Sequence, residues 1–410
     1  MARKTRAVGL SPKLLRCGAS DSNFRMMNEL GKPTSEMLHL RGEGQEALHE
    51  EGARVTRDRF GRKVFVRAVV EISNYCRENC SYCGMRRSNR GLNRFRAKHD
   101  ELAELLIHRR PASVTDINIQ AGEDPIAVRE VALPLIRTLR RETPLGISVC
   151  LGTLNPAMYA ELKEAGASLY ILKFEMANRE RYAELEAPGT FEERIENIRH
   201  LAANGWFMSS GFIAGLPGLT DDDLLGNFAL ARDLPLHGCS VSPFIPGDET
   251  PLASAPGADI NLTLNCMAAL RLMRPDWVIP SVSALNLAEP GSGYRRGLRT
   301  GANLVTINIT PSKFRADYVL YKRDRFIMTE DRILTAIADE GLVPSRQSLA
   351  DFYRSQKVNG ETHHQVQVDA TTVRQRSTEE KRGSDNKDRV RTTQETDTTV
   401  SALQTLREEA

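Results

Sequence analysis

Three thiols lie within eight residues of one another: Cys76, Cys80 and Cys83, in the run Cys76-Arg77-Glu78-Asn79-Cys80-Ser81-Tyr82-Cys83-Gly84. The spacing is C-x3-C-x2-C. A cubane iron–sulfur cluster has four irons, and a full protein ligand set uses four thiolates. Three thiolates leave one iron open to a small molecule that can donate oxygen and nitrogen. A zinc site would need a fourth ligand at short spacing. The nearest histidine, His99, lies sixteen residues beyond Cys83. Seven cysteines in 410 residues do not make a disulfide framework. The loop therefore reads as a [4Fe–4S] ligand set, with zinc as the competing reading.

These thiols need a scaffold. From Val64 onward, short β-branched runs alternate with amphipathic stretches. The runs predict strands near 64–72, 116–120, 146–151, 168–174, 206–213, 238–244, 278–284 and 302–309. Helices are expected over 100–109, 155–166 and 190–204, the last opened by a capping box of Thr190 and Glu193. Eight strands alternating with helices predict an α/β fold, a (β/α)8 TIM-type barrel. Residues 1–62 read as an N-terminal helical cap, residues 63–345 as the barrel and residues 346–410 as a C-terminal extension. From about 358 the chain is polar and poor in large apolar groups, which predicts a disordered C-terminal tail.

The composition supports a buried core, with 40% hydrophobic residues, while a net charge of +3 gives no argument for nucleic acid. No apolar stretch approaches the roughly 18 residues of a membrane span. No apolar segment follows the basic N-terminus, and iron thiolates favour a reducing compartment, so the expected location is cytoplasmic.

Further motifs fall at strand ends, where a barrel places its chemistry. Gln120-Ala121-Gly122-Glu123-Asp124-Pro125 ends the second strand. Lys173 and Glu175 follow the fourth, on one face by period two. Gly211-Phe212-Ile213-Ala214-Gly215 ends the fifth, and Pro243-Phe244-Ile245-Pro246 the sixth. Ser281, Ser283, Thr306, Asn308 and Thr310 read as inward-facing on the last two strands. There they would hold a polar, amino-acid-like substrate or satisfy one another.

The cysteine loop and these segments resemble the radical S-adenosylmethionine (SAM) superfamily, in its biotin synthase-like branch. Within that branch the likeness is greatest to the HydE and PylB types and covers roughly residues 35–345. The resemblance implies a [4Fe–4S] cluster on Cys76, Cys80 and Cys83, with SAM as the second cofactor. It assigns Tyr82 to the adenine side and Ala121-Gly122-Glu123 to the SAM amino group. Lys173 and Glu175 would face the zwitterionic methionine end, Arg194 the carboxylate, and Ile213 and Ile245 the adenine pocket. HydE-type chains usually carry Arg where Lys173 stands, which keeps the charge but loses the bidentate fork. The implied reaction is reductive cleavage of SAM to methionine and a 5′-deoxyadenosyl radical, which takes hydrogen from a small substrate. An external electron donor such as flavodoxin or ferredoxin would supply the electron. HydE-type cofactor maturation, PylB-type amino-acid mutation and a non-catalytic iron–sulfur or zinc scaffold remain as alternatives. Cys17, Cys150, Cys239 and Cys266 are expected to be small buried hydrophobes.

Overall fold

The computed structural model describes residues 32–322 and 326–358. Residues 1–31 of the expected helical cap, Cys17, and the tail expected to be disordered lie outside the described residues. Seven strands, all paired in parallel, form one sheet: β1 (Lys63–Ser73), β2 (Asp116–Ala121), β3 (Gly146–Cys150), β4 (Leu169–Ile171), β5 (Phe207–Ala214), β6 (Gly238–Pro243) and β7 (Leu304–Asn308). Their spatial order is β6-β5-β4-β3-β2-β1-β7. A two-residue strand, β8 (Val343–Pro344), pairs with the start of β1. Parallel strands need crossovers, and a helix follows each of β1 to β6. These helices are His99–His108, Leu133–Glu142, Pro156–Ala165, Phe191–Ala203, Asp221–Asp233 and Ile260–Met273.

The local signals explain these boundaries. Thr190 and Glu193 form both halves of the expected capping box, and Thr220 with Asp223 forms a second. Asn155 caps the helix that Pro156 opens. Helices cover the sheet, so β1 is buried along nearly its whole length and, from Val64 to Ile72, is apolar but for Arg67 and Glu71.

The expected strand 278–284 needs correction. Only Val278 and Pro280 pair, each in a one-residue bridge, to Gly238 of β6 and Leu304 of β7 respectively. Pro280 has no N–H to offer, and the chain turns away from Ser281 into the short helix Leu285–Ala288. Among the described residues the sheet therefore has seven strands, apart from the two-residue β8, rather than the eight of a barrel, and segment 278–280 bridges to both of its edges.

N-terminal helices Ser35–His39 and Gly42–Phe60 pack against helix Ile260–Met273, on the outside of the sheet. At the start of the strands, Phe60, Phe65, Leu169, Phe207, Val278 and Leu304 form a separate apolar cluster. Helix Leu349–Val358 closes this cluster with Leu349 and Tyr353. Asp116, at the first position of β2, accepts the Leu349 N–H at 3.0 Å and so anchors the first turn of that helix. No described helix is long and apolar enough to cross a membrane.

Candidate active site

A cavity of about 370 Å3 connects the cysteine loop with the interior of the curved sheet. Its mouth is lined by Cys76, Cys80 and Cys83, and its far end by Leu349 and Tyr353. β1 delivers the loop: beyond Ser73, the Asn74 side chain accepts the Phe95 N–H at 2.7 Å and donates to the carbonyls of Asn93 and Asp317. The loop then folds on itself, with Cys83 N–H donating to Cys80 O at 3.2 Å and Arg86 N–H to Cys83 O at 3.1 Å.

β2 presses against this loop. A side chain at Gly122 would place its Cβ 2.2 Å from Tyr75 O and 2.9 Å from Cys76 Cβ. Only glycine permits that approach. The next residue, Glu123, donates its backbone N–H to Cys76 Sγ at 3.4 Å. Its carboxylate is held by Arg194 at 2.9 Å and Arg77 at 3.2 Å. Arg194 and Glu123 are both buried. Burial is the largest influence and opposes the Arg194 charge, but the attraction of Glu123, joined by Tyr182 and Glu175, together outweighs it and holds the guanidinium protonated.

All three loop thiols are pushed up, first by burial, Cys83 to about 12; neighbouring thiols add to the rise at Cys80 and Cys83, and the carboxylates of Glu123 and Glu78 at Cys76. Such thiols ionise when a metal displaces their protons. Among the described residues, no three His, Cys, Asp or Glu side chains converge on a single metal ion. The thiols instead border one shared cavity, which suits a multi-iron group better than mononuclear zinc.

Lys173 and Glu175 both line the cavity, and Lys173 Nζ lies 3.2 Å from Glu175 Oε2. Strand alternation is not what aligns them, because β4 ends at Ile171. Glu175 instead adopts φ 63° and bridges Phe212, with Ile213 N–H donating to Glu175 O at 2.9 Å. Tyr82, Ala121, Gly122, Glu123, Arg194 and Ile213 also line the cavity. Ile245 does not: it is half-buried in the loop after β6.

The five polar residues expected inside divide. Ser283, Thr306 and Asn308 reach the cavity. Ser281 does not, because segment 281–284 is a turn and period two fails there. Its hydroxyl donates to Tyr294 O at 3.3 Å and sits against Gly297. Thr310 is fully buried and accepts the Glu71 N–H at 2.9 Å. Cys239 and Cys266 are buried as expected, but Cys150 faces the cavity, its thiol pushed up to about 11 by burial.

Arg67 and Glu71 escaped the sequence reading. They lie on the cavity side of β1 with Val69 between them. Their signal was present: two charges four residues apart, hence on one face by period two, in an otherwise apolar stretch. Glu71 Oε1 accepts from Asn308 Nδ2 at 3.0 Å. Arg67 Nη2 reaches Thr306 Oγ1 at 3.4 Å, while Arg67 Nε has no hydrogen-bond partner.

The curved parallel sheet, with a three-thiol loop at the strand ends and a polar interior beneath, defines an α/β enzyme built around a metal cofactor. Residues 70–231 match the family model described as Radical SAM superfamily. The chain is 34% identical over 287 residues to the [FeFe] hydrogenase maturase subunit HydE of Thermotoga maritima, spanning 70% of this chain and 82% of that protein. It is 27% identical to the 3-methylornithine synthase of Methanosarcina barkeri, over 76% of this chain and 88% of that protein. The crystal structure of methylornithine synthase (PylB) superposes with a TM-score of 0.69 at 25% identity, covering 83% of this chain and 98% of that one. This chain belongs to the radical SAM superfamily, whose enzymes use a [4Fe–4S] cluster and SAM.

Proposed function

We propose that Cys76, Cys80 and Cys83 ligate three irons of the [4Fe–4S] cluster and that SAM occupies the cavity mouth. Its methionine end would lie between the Glu123–Arg194 pair and Lys173–Glu175, and its adenosine near Tyr82 and Ile213. The observation that carries this reading is the single cavity joining the three thiols to these charged groups and to a polar interior. When bound and reduced, the cluster supplies the electron that cleaves SAM to methionine and the 5′-deoxyadenosyl radical. The protein's part is to orient the two cofactors and exclude water. Segment 278–280, bonded to both sheet edges, would complete an eight-membered ring around the radical.

The substrate would lie deeper, against Arg67, Glu71, Ser283, Thr306 and Asn308. A half-buried guanidinium with an unpartnered Nε favours a small molecule bearing an anionic or carbonyl oxygen, as an amino-acid-like compound does. The reductant would be an external carrier such as flavodoxin or ferredoxin, in a reducing cytoplasm. Identity of 34% to HydE favours cofactor maturation over an amino-acid mutase.

Anaerobic reconstitution tests the reading. The wild type should take up one four-iron cluster and form 5′-deoxyadenosine from SAM and dithionite, and Cys80→Ala should do neither. Zinc in place of iron, or full cluster retention by Cys80→Ala, would refute it.

A further inference from the structure

The cluster loop carries six arginines between positions 77 and 96. Arg86 pairs with Glu186, and Arg96 with Asp124. Arg94 is bonded differently. Its Nη1 donates to Asn74 O at 2.5 Å and to Met85 O at 2.9 Å, and its Nη2 to Arg86 O at 2.7 Å and Asn89 O at 3.2 Å. All four terminal N–H groups thus reach separate backbone carbonyls. One carbonyl precedes Cys76 and three follow Cys83, so a single planar guanidinium ties together the two ends of the ligand loop. Among the described residues, none of its hydrogen-bond partners is a carboxylate. The ionisable groups its charge meets are the Cys76 and Cys83 thiols, which become negative on ligating iron, and the Tyr75 hydroxyl.

We propose that Arg94 is the positioning residue of the cysteine loop: it fixes the backbone that presents the three thiolates, and its uncompensated charge stabilises the reduced, more negative cluster. The inference rests on the cluster assignment above. The geometry requires the arginine fork, since lysine offers three tetrahedral donors on one atom and cannot span four carbonyls. Charge near an iron–sulfur cluster is one of the determinants of its potential.

The test compares wild type, Arg94→Lys and Arg94→Gln. Both variants should keep the wild-type circular dichroism and global thermal midpoint. Both should show faster amide exchange at residues 84–91 in the cluster-free protein, and faster iron loss to a chelator when loaded. Only Arg94→Gln should shift the cluster's midpoint potential, measured by EPR-monitored titration, to more negative values. If the glutamine variant folds but loads no cluster while the lysine variant loads one, the role of the charge is upheld. Wild-type exchange and iron loss in both variants would overturn the positioning role. Equal midpoints in the two variants would overturn the role of the charge, and global unfolding of both would make Arg94 an ordinary stability residue. Failure of the wild type itself to bind a cluster would instead sink the cofactor assignment.

Discussion

Arg194→Met isolates the buried pair behind the cysteine loop. Arg194 is 3% exposed and Glu123 7% exposed, and their charged atoms lie 2.9 Å apart. Methionine keeps much of the side-chain length and removes the charge, leaving the Glu123 carboxylate buried with Arg77 alone, 3.2 Å away and half exposed. Breaking a buried pair by removing one partner costs ~3–5 kcal/mol, because the other charge remains desolvated. Arg77 still offsets part of that cost, so the lower end, about 3 kcal/mol, applies. For a folded unit of this size each kcal/mol moves the thermal midpoint by ~2 °C, which gives a drop of about 6 °C. Thermal unfolding of the cluster-free protein measures it. The mechanism makes a second demand. Adding Glu123→Gln removes the stranded charge, so the double variant should lose less stability than the two single losses added together, by ~1–3 kcal/mol. A midpoint within about 1 °C of wild type for Arg194→Met, or strictly additive losses in the double variant, would refute the reasoning.

Other perturbations probe separate parts of the molecule. Glu175→Ala should leave the cluster intact but weaken SAM binding by ~1.5–3 kcal/mol, a factor of about ten to more than a hundred. EPR-followed SAM titration reads this, and an unchanged Kd would make Glu175 a structural partner of Lys173 only. Tyr353→Ala should cost ~3–5 kcal/mol, because the ring is 3% exposed and packs on Phe207 with centroids 5.1 Å apart. A smaller loss in urea unfolding would mean that the terminal helix is dispensable to the fold. Burial raises the Asp116 carboxyl from 3.8 to about 6, against the lowering hydrogen bonds from Thr115 and Leu349. The folded state thus holds the proton more tightly than the unfolded one. This favourable contribution is fully present below pH 3.8 and lost as pH rises through 6, amounting to about 3 kcal/mol. Asp116→Asn removes the titration, so its stability relative to wild type should rise by most of that amount between pH 4 and 7. A pH-independent difference would contradict the burial account.

His49 works in the opposite sense over the same range. Burial lowers it to about 4, outweighing the raising hydrogen bond its ring makes to Asn265 at 2.9 Å, so the folded state prefers the neutral ring. Its contribution is present above pH 6.5 and lost as pH falls toward 4. The two groups therefore oppose each other between pH 4 and 6. The wild-type profile there should be flatter than that of either Asp116→Asn or His49→Gln, which pH-dependent urea unfolding of the three proteins can read directly.

What the sequence revealed and what it concealed divide along physical lines. Motif residues at the ends of strands were legible because a parallel sheet sends those ends to one side. The thiols, Gly122-Glu123, Lys173 and Glu175 accordingly meet at one cavity. Thr190 and Glu193 were legible because capping is a local matter settled within four residues. Ser281 and Thr310 misled because alternation holds only while the chain is a strand, and it ceases to be one at Pro280 and after Asn308. Ile245 rested on the family resemblance, and it falls in the loop after β6. Arg67 and Glu71 were overlooked for the converse reason: in a strand buried on both faces, the apolar run hides which face is the interior. A charge in such a strand marks that face, because only a polar cavity can hold it. Read with that rule, β1 points inward at 67, 69 and 71. The Arg194–Glu123 contact joins positions 71 residues apart, and only the packing of helix Phe191–Ala203 against the sheet brings them together. Arg194 on its own reads as one more arginine of an amphipathic helix, and its burial is a property of the tertiary fold.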